Sequence, residues 1–144
     1  MKHLTLLLIL GLLLSCSETQ KRDLLVDDSG IKAPSELAQL MRVMEAHADA
    51  CRQAIRNGEG LPDAPMGIEG LITAIPTMGM HIDQQSFPVF ARDYQAKIEA
   101  LYAAQDMDRE SPYNAVIQSC TNCHLSHCPG PLMKINKMSI TESR

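Results

Sequence analysis

The sequence predicts an all-α fold, an antiparallel four-helix bundle with a short or broken second helix. Two long stretches, residues 35–57 and 86–105, repeat apolar side chains at alternating three- and four-residue steps, and a third such stretch follows Ser111. No stretch reads as a strand. Glycine and proline gather between residues 58 and 79 and again at 129–131, where they would separate helices rather than interrupt them. A length of 144 residues suits one domain with a proper core. Hydrophobic content is 45% but aromatics are only 3%, with no Trp and nine Met. Such a core lacks flat, bulky side chains of its own and suits a bundle built around a large flat cofactor.

Residues 1–15 stand apart from the domain. Lys2 and His3 make a short basic start, and Leu4 to Leu14 form an apolar run too short for an ordinary membrane span. The run ends Leu13-Leu14-Ser15-Cys16, which resembles the cleavage box of bacterial lipoproteins. That resemblance implies a signal peptide over 1–15 and a lipid on Cys16. Ser17, rather than Asp, after it implies the outer membrane, facing the periplasm. The other reading is plain secretion with cleavage nearby. Loss of the leader removes one of the 13 basic residues (Lys2) and none of the 17 acidic ones, taking the formal net charge from −4 to about −5. An acidic chain with no basic stripe excludes nucleic acid as a partner.

Residues 16–33 are polar and aperiodic and read as a flexible tether, followed by a domain over 34–138 and a tail over 139–144. The first helix runs from about Ser35, an N-cap after Pro34, to Asn57, with Gly58 as its stop. Its seam is Leu37, Leu40, Met41, Met44, Ala48, Cys51 and Ile55, with His47 at the border as an edge histidine. A short helix is expected around Gly67 to Ile75, ended by Pro76, and then a loop Thr77-Met78-Gly79-Met80-His81. The next helix begins near Ser86 with Pro88 in its first turn and fades near Gln105. It buries Phe87, Phe90, Ala91, Tyr94, Ile98 and Leu101. Asp106 to Glu110 reads as a solvated connection. Ser111 should cap the last helix, with Pro112 in its first turn and Pro129-Gly130-Pro131 stopping it. The segment from Leu132 to Met138 could add one turn.

The last helix carries Cys120-Thr121-Asn122-Cys123-His124, the C-x-x-C-H pattern of covalent c-type haem attachment. Two thiols about one turn apart lie on the same side of a helix and reach one porphyrin edge, where they form thioethers. The histidine that follows supplies a neutral imidazole to the iron as proximal ligand. Competing chemistries fit less well. Structural zinc needs a second ligand pair at a proper spacing, and His127 and Cys128 crowd the same turn. A thioredoxin-like motif needs a βαβ setting. One covalently bound haem c is therefore the expected cofactor, held by Cys120 and Cys123 with His124 on iron.

Four helical segments with the sole C-x-x-C-H on the last one resemble the class II cytochromes c, the cytochrome c-prime group, over roughly residues 34–128. Met41-Arg-Val-Met44-Glu-Ala-His47 looks like that family's distal segment, whose first position faces the vacant side of the iron. Cys128-Pro-Gly-Pro131 with its basic tail looks like a group of small lipid-anchored monohaem cytochromes. Two features depart from the family: Leu37 stands where it usually has Arg, and residues 58–76 are too few for its longer second helix. Members with an apolar distal residue leave iron five-coordinate and bind nitric oxide or carbon monoxide, whereas low-spin relatives place a Met there and shuttle electrons. The resemblance thus implies Met41 as sixth ligand. By position in the chain the alternatives are Met78, Met80 and His81, in a Gly-containing loop able to reach iron, and Met44, one turn after Met41, which otherwise reads as packing under the haem edge.

The expected function is electron transfer through a His/Met-ligated iron, not enzymatic turnover, with an unidentified redox protein as partner and a homodimer as one further expectation. The alternative is a five-coordinate gas-binding haem protein, and a third reading is an apo interaction lipoprotein with a structural C-x-x-C-H. Cys51 and Cys128 remain after the lipid and haem cysteines. With Met41 opposite His124, Cys51 would lie roughly 15 Å along helix 1 and away from Cys128, so no bridge is expected between them.

Overall fold

Ser35 begins the first helix through its own side chain. Its Oγ accepts the backbone N–H of Ala38 at 3.2 Å, which satisfies one of the amides a helix start leaves unpaired. The structure, a computed structural model, describes residues 33–141. The leader 1–15, Cys16, residues 17–32 of the tether and the tail residues 142–144 lie outside the described residues. Contacts divide the chain after Ala33, and the unit described here begins at Pro34.

Helix α1 spans Glu36–Asn57 and ends at Gly58, which is left-handed at φ 68°. There the Gly58 N–H donates to the carbonyl of Ile55 at 3.2 Å and the Glu59 N–H to that of Ala54 at 2.8 Å, the paired bonds of a Schellman end. The buried face holds Leu37, Met44, Ala48, Cys51 and Ala54, with Leu40, Met41 and Ile55 half-buried. His47 lies inside this face rather than at its edge, 8% exposed.

Residues 58–86 correct one expectation. In place of a helix over Gly67 to Ile75 there is a single 3-10 turn, Ile68–Gly70. Local turn bonds remain, such as Leu71 N–H to the Ile68 carbonyl at 3.2 Å and Ala74 N–H to the Gly70 carbonyl at 2.9 Å, and distant groups hold the rest. The Ile68 carbonyl accepts Nε2 of Gln95 at 2.9 Å, the Ile75 carbonyl accepts the N–H of Leu37 at 3.0 Å, and the Ile75 N–H donates to the Glu36 carboxylate at 3.1 Å. Gly67, at φ 82°, adopts a conformation that a helix cannot continue through. The segment therefore runs back across the molecule and clamps the first turn of α1, with Leu71 buried and Ile75 exposed.

Helix α2 covers Phe87–Ala103 and buries Phe87, Ala91, Tyr94, Ile98 and Leu101. It begins where expected, with Ser86 at the cap position, but the Ser86 side chain bonds no helix amide. Asp83 Oδ1 accepts the N–H groups of Gln85 and Ser86 and the Ser86 hydroxyl, at 3.0, 2.7 and 2.8 Å. Those bonds hold the Asp83 carboxyl below its usual range. A 3-10 turn, Asp106–Asp108, follows. Helix α3, Glu110–His127, starts one residue before the expected Ser111 cap, and its start has no side-chain cap bond. Its Tyr113, Val116, Ile117 and Ser119 are buried, and α2 and α3 share the most extensive helix contact.

The chain stops α3 at Cys128 and forms a short helix α4, Leu132–Ile135, against it. Docking continues past Met138 to Ile140. Ile135, Met138 and Ile140 are core residues, the Tyr113 hydroxyl donates to the Met138 carbonyl at 2.9 Å, and Asn114 exchanges two 2.9 Å bonds with the backbone of Ile140. Among the described residues all elements are helical and none is a strand.

Candidate cofactor site

Cys120, Cys123 and His124 occupy the last turns of α3, where spacing of three and four residues stacks them on neighbouring positions. All three are half-buried between α3 and α1. The space they face is divided into cavities of about 220, 60 and 30 Å³. Met41 of α1 and His124 of α3 line all three, Cys120 lines the largest and smallest, and Cys123 the two smaller ones. The geometry brings together the residues that the sequence separates by about eighty positions, and their other walls are mostly apolar.

His124 is held in one tautomer. Its Nδ1 lies 2.8 Å from the carbonyl oxygen of Cys128, which can only accept, so Nδ1 carries the hydrogen and Nε2 the lone pair. The Cys128 N–H in turn donates to the His124 carbonyl at 3.2 Å. Neighbouring His127 is fixed differently: its Nε2 is 3.4 Å from the Ser86 hydroxyl and its ring meets Phe87 and Phe90 edge-on, each at 5.6 Å between centroids. Burial pushes the Cys120 thiol up to about 12, with the adjacent Cys123 adding to it. Burial, followed by proximity to Cys128, pushes Cys123 up to about 11. Both side chains are neutral thiols at physiological pH.

The 220 Å³ cavity is charged at its rim. Arg42 and Glu45 reach it from α1 and Lys134 from α4, and Lys134 pairs with Glu45 across the gap. Of the methionines considered from sequence, Met44 is buried and lines two cavities, and Met80 borders the 60 Å³ one beside Cys123. Met78 is 89% exposed and lines none of the three, and His81 is exposed.

His47 and Cys51 belong to a separate cluster. His47 Nε2 is 2.7 Å from the Tyr102 hydroxyl, which donates to the Pro62 carbonyl at 2.5 Å, and Cys51 Sγ lies 3.4 Å from the same nitrogen. Cys51 and Cys128 are both free thiols. Burial raises the Cys51 thiol to about 11 and lowers the His47 imidazole.

Some contributors were not singled out from sequence. The Cys128 carbonyl orients His124, yet a backbone oxygen leaves no mark on residue identity. Lys134 and Glu45 are ordinary charges until the fold sets them face to face. Tyr94 was read as core, although a phenol in a buried stripe is itself a sign that a polar partner is needed. No family model, no curated protein and no solved structure matches the chain.

Proposed function

We propose that this chain is a lipid-anchored, periplasm-facing monohaem c-type cytochrome that carries electrons. Cys120 and Cys123 hold one haem, His124 is its proximal ligand and Met41 its sixth. The observation that carries the reading is that Met41 and a tautomer-locked His124 line three mostly apolar cavities, each shared with one or both of the motif thiols. The donor set suits the group. Two protonated thiols on one helical side are the reactants that thioether formation requires, and an imidazole whose Nδ1–H is bonded to a carbonyl presents Nε2 to a metal.

When bound, the haem supplies a reversible one-electron iron couple. The chain's own residues do the rest. The Cys128 carbonyl keeps the His124 ring from rotating and leaves Nε2 as its free nitrogen. A Met41 thioether favours ferrous iron and so a higher potential. Arg42 and Lys134 stand where they would neutralise the cofactor's carboxylates, with Glu45 giving up Lys134. Leu37, Met44 and Phe87 exclude water around the site. On this reading α1, α2 and α3 form an antiparallel bundle in which the 58–86 crossover takes the place of a second helix. The lipid on Cys16 holds the domain at the outer membrane, and a redox protein, or a second copy of the chain, meets its surface.

An absorption spectrum of protein produced with haem-maturation machinery tests the proposal. Covalent haem, a low-spin spectrum and a weak far-red methionine-to-iron band that disappears in Met41→Ala are the expected results. A high-spin spectrum that shifts at once with carbon monoxide would replace the carrier with the gas-binding alternative. No haem stain on a denaturing gel would overturn both.

A further inference from the structure

The loop between the first 3-10 turn and α2 carries a second set of metal-binding side chains, away from Cys120, Cys123 and His124. Thr77-Met78-Gly79-Met80-His81 begins as a tight turn. The Met80 N–H donates to the Thr77 carbonyl at 2.9 Å, and Gly79 takes a left-handed φ of 84° at the third position, where such a turn favours glycine. Thr77 Oγ1 lies 3.1 Å from Ser35 Oγ, which ties the turn to the start of α1. Met78 is 89% exposed, Met80 is 37% exposed and also borders the 60 Å³ cavity, and His81 is exposed.

Methionine is among the side chains most often buried, yet here two of them flank one glycine at the surface, with a histidine next in the chain. Residues 70–82 hold no carboxylate, no thiol and neither Lys nor Arg. The donors that the turn offers are therefore two thioethers and one imidazole. The nearest acid along the chain, Asp83, has Oδ1 committed to Gln85 and Ser86. Calcium and magnesium need oxygen ligands, and structural zinc is held by thiolate, imidazole or carboxylate. An uncharged set of soft sulfurs with one imidazole selects a soft ion of low charge, and cuprous copper has that chemistry.

We propose that Met78, Met80 and His81 form a surface site for cuprous ion. The turn preorganises it, because Gly79 sets the backbone between the two thioethers and the Thr77–Ser35 bond holds the loop against α1. The site shares only Met80 with the walls of the three cavities and does not depend on the haem reading. It gives Met78, which lines none of those cavities, a role that iron ligation does not.

The test titrates cuprous ion, delivered as its acetonitrile complex, into the reduced, haem-loaded full chain and follows the methionine ε-methyl groups by residue-resolved NMR. Met66, Met107 and Met133, at 88%, 97% and 79% exposure, are internal controls. The Met78 and Met80 methyls and the His81 ring protons should move together and stop moving once copper equals protein, with the three controls still. Replacing both thioethers, Met78→Leu with Met80→Leu, should weaken binding about tenfold or more against a competing cuprous chelator, since losing ligands costs at least as much as losing the groups that support them. Both positions are outside the buried core, so the doubly substituted chain keeps its fold. Equal movement of every exposed methionine would show adventitious thioether contact only and would overturn the proposal. So would uptake that leaves Met78 and Met80 still, which would place the ion on the half-buried Cys128 thiol, and so would no uptake at all. Failure of the haem reading shows separately, in the absorption spectrum.

Discussion

His47 shows how burial turns an ordinary side chain into a determinant of stability. The Tyr102 hydrogen is committed to the Pro62 carbonyl, so His47 Nε2–H donates to Tyr102, and the imidazole is neutral in the folded protein. Burial lowers its pKa below the usual 6.5. The unfolded chain then binds a proton more readily than the folded one between the lowered value and 6.5. Stability is full above about 6.5 and falls as pH drops through that window, levelling once the folded-state pKa is passed. Urea midpoints measured from pH 8 to 5 should show this decline, and His47→Gln should flatten it. An unchanged slope in the variant would assign the dependence to other groups. The Tyr113 hydroxyl makes a second residue-level case. Tyr113→Phe leaves the buried Met138 carbonyl unsatisfied, an expected loss of about 1–3 kcal/mol in urea unfolding.

At the scale of elements, helix ends follow local chemistry where one residue type alone can do the work. Gly58 is left-handed, and a Cβ there would meet no atom within 4 Å, so Gly58→Ala tests backbone strain without steric clash. It should lower stability by about 1 kcal/mol. Gly70 also has open space but no positive φ, so Gly70→Ala should be close to neutral. Thermal or urea unfolding of both variants checks the contrast, and equal losses would refute it. The start of α2 is less local. Ser86 has the side chain of a cap but a helical backbone, so its hydroxyl donates to Asp83 instead of accepting a helix amide. Three acceptor bonds on one carboxylate oxygen then order the turn before α2.

At the scale of the molecule, the segment after α4 completes the core. Met138 and Ile140 are 7% and 9% exposed, and Arg52 of α1 donates to the Lys137 carbonyl at 2.9 Å. Ending the chain after Lys137 exposes that face of α3 and strands Asn114. Burial of two large apolar side chains contributes about 1.5–3 kcal/mol each, so the truncated protein should lose roughly 4 kcal/mol. That is a large share of a domain's total of about 5–15 kcal/mol. Chemical denaturation of the shortened chain measures it; a loss under about 1 kcal/mol would show that the tail merely rests on the surface.

The sequence by itself determined the all-helical class, both ends of α1, the proline stop after α3 and the grouping of Cys120, Cys123 and His124. Each of these depends on contacts within one or two helical turns, where residue type and spacing are enough. It also put Met41 on the α1 seam, while a place opposite His124 was implied by the resemblance and not by spacing. Tertiary structure decided the course of residues 58–86, because Gly67 and Pro76 leave little local preference for a helix there. Distant partners fix its course: Glu36 takes the Ile75 N–H that a helix to Ile75 would have kept, and Leu37 and Gln95 tie the Ile75 and Ile68 carbonyls to α1 and α2. It also decided that His47 is interior and that Tyr94 has no partner. Burial and hydrogen bonding at those positions depend on which helix packs opposite, and spacing along one helix cannot supply that.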